Sequence, residues 1–298
     1  MTTFWSIYIT VITVGTLVGC FWLVRYTMRV NPGEELGEKE MNHKWDGDLV
    51  EYNNPLPKWW LNLFYGTIIF ATIYLALYPG LGNWGGLFGW TSTGQYEKEM
   101  QQAEEKYGPL YAKYAQIPLE ELARNEDAMK IGQSLFGNNC EQCHGVAGLG
   151  NKGFPNLQDD DWIWGGSAKA IEQTVLHGRT AAMPAWKATI GEEGVKAVTE
   201  YVISLSGRDH DQALAEKGKQ TYNTMCIGCH GADAKGNTML GAVNLTDDIW
   251  LYGGSREDIH ETIANGRNGK MPAWGKVLGK DKAHLVTAYV ISLSQQAE

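Results

Sequence analysis

The sequence predicts a mainly α-helical chain: an N-terminal hairpin of two membrane-spanning helices, then two tandem copies of one small helical domain. Three observations predict it. Phe4 to Val24 and Trp59 to Tyr78 hold no charged residue over 21 and 20 positions. From Gly132 onward the chain repeats itself, Gly132 to Ser206 matching Gly218 to Ser294. Within each copy a helical pattern runs into the same five-residue motif, Cys-x-x-Cys-His.

Each apolar run is long enough for a hydrocarbon core, which takes about 20 helical residues. Trp5, Trp22, Tyr26, Trp59, Trp60 and Tyr78 stand near the ends, where amphipathic rings suit the headgroup level. The first run lacks the basic flank of a signal peptide and is long for an apolar signal core. Leu17-Val18-Gly19-Cys20 resembles a lipoprotein cleavage box, but the apolar run continues through Val24 and no Lys or Arg precedes it. The reading is a retained helix with Cys20 an inert member. Arg25, Arg29, Lys39, Lys44 and Lys58 lie between the runs, and none precedes the first. Positive residues in short loops stay in the cytoplasm, so the N-terminus and everything after Tyr78 are expected outside it. Residues 1–90 are therefore the anchor, with helices at 4–24 and 59–78 and a cytoplasmic loop.

Pro79-Gly80 and Gly85-Gly86 mark turns at the exit from the second span. Residues 91–125 read as a solvated helical connector, with Pro109 as a candidate break. The copies follow as 126–207 and 208–298. The Cys motifs align at an offset of 86; after a two-residue length difference the offset is 88. At that second offset Trp162 matches Trp250, Arg179 matches Arg267, and Met183-Pro184-Ala185-Trp186 matches Met271-Pro272-Ala273-Trp274. Tyr201 to Ser206 recurs letter for letter as Tyr289 to Ser294. Each copy should hold three main helices: Glu126 to Asn138, Ala168 to His177 and Glu192 to Leu205, matched by Asp211 to Asn223, Arg256 to Asn265 and Asp281 to Leu293. Gly132 and Gly218 fall inside helical patterns, where glycine costs about 1 kcal/mol against alanine. A second helix crossing closely would offset that.

A formal charge of −9 argues against nucleic acid as partner, because phosphate neutralisation needs clustered cations. Four of the five cysteines fall in Cys140-x-x-Cys143-His144 and Cys226-x-x-Cys229-His230. That is the signature of covalent haem c attachment. Two cysteines three apart reach the two vinyl groups of one porphyrin, and the next residue supplies an imidazole to the iron. A thioredoxin-like dithiol would need a βαβ setting, which is missing. A zinc site built from both motifs would leave the duplicated Met-Pro-Ala-Trp unexplained. Two haems c, bound by thioethers, are expected.

His144 and His230 are the expected proximal ligands, and Met183 and Met271 the expected sixth ligands. Methionine opposite histidine raises the potential, as suits electron transfer. His177 competes in copy one, but Asn265 stands at its place in copy two. The simple expectation is that each methionine serves its own repeat's haem; a reach across to the other's stays open should the two haems lie close. His43, His210, His260 and His284 lack equivalents and are expected at the surface. For Trp162, Trp250, Arg179 and Arg267, propionate binding and plain packing are both open. No catalytic residue is expected.

Both copies resemble class I cytochrome c domains. Trp45-Asp46-Gly47, Asn53-Asn54-Pro55-Leu56-Pro57-Lys58-Trp59-Trp60, Tyr78-Pro79-Gly80-Leu81-Gly82 and Gly89-Trp90-Thr91, with two haem motifs following, resemble the dihaem subunit III of cbb3-type cytochrome c oxidases. The resemblance covers nearly the whole chain. It implies a subunit of the bacterial inner membrane, haem domains periplasmic, that takes electrons from a soluble or anchored cytochrome c donor. It implies delivery to a monohaem cytochrome subunit and then to the haem–copper catalytic subunit, which pumps protons; this chain is not itself the oxygen-reducing subunit. The cytochrome subunit of a periplasmic dehydrogenase is the competing function, and a dihaem peroxidase a more distant one, since it needs a releasable sixth position. Copy one has Pro155 before Asn156 where copy two has Val243, a change that leaves a backbone carbonyl in place.

Overall fold

The structure, a computed structural model, describes residues 1–28, 40–52 and 56–295, with the side chains of 40–43 and 51–52 left aside. Arg29, Lys39, Asn53-Asn54-Pro55 and the His43 side chain thus lie outside the description. The chain forms two compact units, Met1–Glu104 and Glu105–Glu298.

In the first unit, α1 (Thr3–Thr27) and α2 (Lys58–Leu77) are long and apolar enough to cross a membrane. Their apolar side chains point outward all round, the reverse of a soluble core helix: Phe4, Ile7, Val11, Leu63, Ile69 and Phe70 are all exposed. Phe21 and Tyr65 meet as tilted rings, centroids 5.8 Å apart, between the two helices. The backbone N–H of Asn83, just beyond α2, donates to Ser6 Oγ at 2.8 Å, so α2 returns to the level where α1 begins. Between them β1 (Glu40–Trp45) and β2 (Leu49–Tyr52) form an antiparallel hairpin, with Asp46 and Gly47 left-handed at its tip.

In chain order, α3 (Ser92–Tyr114) carries Pro109 without interruption, and α4 (Leu119–Leu122) follows. Copy one then supplies α5 (Glu126–Asn139), the single turn α6 (Glu141–His144), α7 (Ala168–His177), β3 (Arg179–Met183) and α8 (Lys187–Leu205). Copy two supplies α9 (Gln212–Met225), the turn α10 (Ile227–His230), α11 (Arg256–Asn265), β4 (Arg267–Met271) and α12 (Gly275–Gln295). Asn125 and Asp211 cap α5 and α9 by accepting from the N–H three residues on, each at 3.0 Å.

The copies do not each close their own core. They exchange their last helices. One cluster joins Phe136 and Ile171 of copy one to Leu285, Val286, Tyr289 and Val290 of α12. The other joins Tyr222, Ile259 and Ile263 of copy two to Val195, Val198 and Val202 of α8. Gly132 and Gly218 mark the two crossings. A Cβ on Gly132 would stand 2.7 Å from Tyr289 Cβ and 2.9 Å from the Leu285 carbonyl oxygen; one on Gly218 would collide with the Ala197 carbonyl. The close helix crossing expected at these glycines is present, and the crossing helix belongs to the other copy. Matching ring pairs flank them, Phe136–Tyr289 at 5.4 Å and Tyr201–Tyr222 at 5.2 Å.

The connector is more than a spacer. Tyr114, Leu119, Leu122 and Ala123 are buried in the copy-one core. His284 is no surface residue either. Its Nδ1 lies 2.8 Å from Glu172 Oε1 and its Nε2 2.9 Å from the Ile117 carbonyl, joining α12 to α7 and the connector.

Candidate haem site

Each Cys motif is one helical turn laid at the end of a longer helix. Cys143 and His144 N–H donate to the Cys140 carbonyl at 3.1 and 3.0 Å; Cys229 and His230 do the same to Cys226 at 3.1 and 3.0 Å. One turn brings the two sulfurs of a pair to the same side, with the imidazole directly after them.

The chain then doubles back over the histidine. Gly150 N–H donates to the His144 carbonyl at 2.6 Å, and Gly236 N–H to that of His230 at 2.9 Å. Gly150 is left-handed (φ 76°), and a Cβ there would meet Asn156 N at 2.6 Å, so only glycine makes this return. The return delivers a carbonyl to each ring: Nδ1 of His144 stands 3.1 Å from Pro155 O, and Nδ1 of His230 3.0 Å from Val243 O. A carbonyl only accepts, so Nδ1 carries the proton and Nε2 keeps its lone pair for a metal. Burial lowers both imidazole pKa values, with the carbonyl bond opposing, and favours this neutral ligand form. The Pro155-to-Val243 difference is thus neutral, as a backbone acceptor should be.

Both motifs open on one continuous, mainly apolar cavity of about 640 Å³, whose lining includes Cys140, His144, Met183, Cys226, His230 and Met271. The strands carrying the methionines pair with each other. β3 and β4 run antiparallel, with Arg179 opposite Met271, Ala181 opposite Gly269 and Met183 opposite Arg267. Each strand then docks on the other copy. Trp186 N–H donates to the Ile263 carbonyl and Trp274 N–H to that of Val175, both at 3.0 Å. Met183 and Trp186 accordingly pack on the core that holds Cys226, and Trp274 on the core that holds Cys140. His177 is exposed at the end of α7 and does not line the cavity.

Arg179 and Arg267 also line it. Each donates from Nε to a threonine of the preceding helix, Thr174 at 2.9 Å and Thr262 at 3.0 Å. Each also lies over an aromatic ring, Trp164 at 5.0 Å and Tyr252 at 4.8 Å. Sequence reasoning passed over Thr174, Thr262, Trp164 and Tyr252, although all four sit at the 88-residue offset that exposed the others. Burial pushes the Cys140 and Cys226 thiols up to about 11, leaving them neutral at pH 7.

These residues fit haem: paired thiols, tautomer-fixed imidazoles and duplicated methionines around an apolar cavity. Residues 37–85 match the family model of the N-terminal domain of cytochrome oxidase-cbb3, FixP. Residues 127–202 and 213–290 match that of cytochrome c oxidase, cbb3-type, subunit III. The cbb3-type cytochrome c oxidase subunit CcoP of Rubrivivax gelatinosus is 47% identical over 292 residues, 98% of this chain and 95% of that protein. The subunit FixP of Azorhizobium caulinodans is 40% identical, covering 86% of this chain and 93% of that protein. The subunit FixP of a Bradyrhizobium species is 39% identical, covering 86% and 95%.

Proposed function

Because the chain belongs to the subunit III family of cbb3-type cytochrome c oxidases, we propose that it is the membrane-anchored electron-transfer subunit of such an oxidase, with two covalent haems c. The observation that carries this reading is the pair of equivalent Cys–His turns opening on one apolar cavity with two methionines. Haem iron supplies a one-electron couple. Cys140 and Cys143 tether one porphyrin, Cys226 and Cys229 the other. His144 and His230 present Nε2 as proximal ligands. The exchanged strands favour crossed sixth ligands: Met183 for the haem of Cys226, Cys229 and His230, and Met271 for that of Cys140, Cys143 and His144. Apolar walls exclude water and, with methionine, hold the potentials high.

In this reading electrons arrive from a soluble or anchored cytochrome c donor. They leave for a monohaem cytochrome subunit and then the haem–copper catalytic subunit. The chain spans the bacterial inner membrane twice, with the basic loop cytoplasmic and both haem sites periplasmic. From Thr91 to Glu298 there are 20 Lys and Arg against 27 Asp and Glu, and such an acidic surface steers a basic donor at low salt.

The test is haem content. Replacing Cys140 and Cys143 by alanine should halve the haem that survives acid extraction and leave the second site loaded. A variant that keeps both haems would overturn the attachment scheme.

A further inference from the structure

The two haem sites share ligands, acceptor carbonyls and cavity arginines, so any difference between their potentials must come from residues that the repeats do not share. One such difference is a half-buried charge. Asn125 and Asp211 are equivalent helix caps, and three residues before each stand Leu122 and Arg208. Leu122 is fully buried in the core that Trp162 packs against. At the matching place in copy two, the Arg208 guanidinium lies 5.1 Å from the centroid of Trp250, the equivalent of Trp162. Trp250 lines the haem cavity and Arg208 does not, so the cation sits behind the cavity wall.

Arg208 is held there firmly. Its Nε donates to Ser206 Oγ at 3.0 Å and its Nη1 to the Gly254 carbonyl at 2.5 Å. Its Nη2 is buried and has no hydrogen-bond partner among the described residues, and no carboxylate there pairs with it. A half-buried cation with no carboxylate paired to it carries a desolvation cost, and copy one shows that leucine fills the same position. An uncompensated positive charge beside a haem disfavours the ferric state more than the ferrous one, which raises the potential.

We propose that Arg208 splits the potentials of the two haems, making the copy-two haem the higher and so the sink for electrons passing between them. This rests on the two-haem reading above. A unit charge one ring away, in a medium of effective dielectric about 20, changes electron affinity on the order of tenfold. For a one-electron couple that is about 59 mV.

The experiment is spectroelectrochemical titration of the purified full-length haem-loaded chain and its R208L, R208Q and R208K variants. R208L installs the copy-one residue, and R208Q keeps polarity without charge. Both should lower the upper of the two midpoints by about 59 mV, a tenfold change, and leave the lower one unmoved, while R208K retains the wild-type split. Unmoved midpoints in R208L and R208Q, equal shifts of both, or a drop in R208K as large as in R208Q would overturn the role of Arg208 and leave the two-haem reading standing. A wild-type chain carrying fewer than two covalent haems would instead overturn that reading, and this inference with it.

Discussion

Met183 stands directly opposite Arg267 in the β3–β4 ladder, and Met271 stands opposite Arg179. The ladder therefore has a local two-fold centre at the Ala181–Gly269 pair. Each candidate ligand methionine lies beside the arginine of the other copy, and Met183 packs on the other copy's core.

This relationship decides which haem a methionine variant should disturb. Met183→His should lower the midpoint of one haem by well over about 59 mV, the one-electron equivalent of tenfold. The affected haem should be the one attached through Cys226 and Cys229. Combining the variant with loss of Cys140 and Cys143 should leave a single low-potential haem; a remaining high-potential haem would return the methionines to their own repeats. His177→Ala should leave both midpoints near wild type, since that ring is exposed and off the cavity.

Helix propensity and packing pull in opposite directions at Gly218. Alanine gains about 1 kcal/mol of intrinsic helix stability, but its methyl would meet the Ala197 carbonyl, a backbone atom that cannot swing away. Overpacking of this kind costs about 1–3 kcal/mol. Gly218→Ala should lower the melting temperature of the haem-loaded protein. Gly132→Ala should do so less, since its obstacles, Tyr289 Cβ at 2.7 Å and the Leu285 carbonyl oxygen at 2.9 Å, stand farther off than the Ala197 carbonyl does at Gly218. A higher melting temperature for Gly218→Ala would show that the crossing is looser than described.

Asp161 supplies a pH dependence. Burial first, then the Asp247 and Asp159 carboxylates, push it from 3.8 up to about 6. The folded state thus binds a proton more tightly than the unfolded state. The stability this lends is complete below 3.8 and is lost as pH rises through about 6. Asp161→Asn should therefore melt higher than wild type at pH 7.5 and alongside it near pH 3.5. Equal melting temperatures at both pH values would leave Asp161 unshifted.

Topology is open to a fusion assay. Alkaline phosphatase fused after Ser206 should be active and fused after Met41 inactive, because Arg25 and Arg29 follow the first span and positive residues in short loops favour the cytoplasm. The reverse pattern would invert the anchor.

Much of this was legible in the sequence because each feature has a local cause. The helix between Ala168 and His177 ends where expected, with Ser167 capping it and Gly178 after it. The histidine–carbonyl contacts followed from a motif and a backbone acceptor. The exchange of α8 and α12 was not legible, for a physical reason. Tyr201 to Ser206 and Tyr289 to Ser294 are identical, so either helix presents the same apolar stripe to either core. Only the three-dimensional path of the connections distinguishes the two arrangements. The β3–β4 ladder escaped notice because Arg-Thr-Ala-Ala-Met and Arg-Asn-Gly-Lys-Met have little strand propensity alone. Asp46-Gly47 was a visible hairpin signal that went unread. His284 looked unmatched and therefore superficial, yet lack of a repeat partner says nothing about burial.

The exchanged helices also set an order of assembly. As the chain emerges from its N-terminal end, α8 is already present when α9 and α11 arrive, so the second repeat can close as soon as its own residues exist. The first repeat must wait for α12, which follows every other element of the second repeat. Until then the core beside Cys140 lacks Leu285, Val286, Tyr289 and Val290. The site encoded first is thus the one sealed second, and the arrival of α12 serves as its closing step.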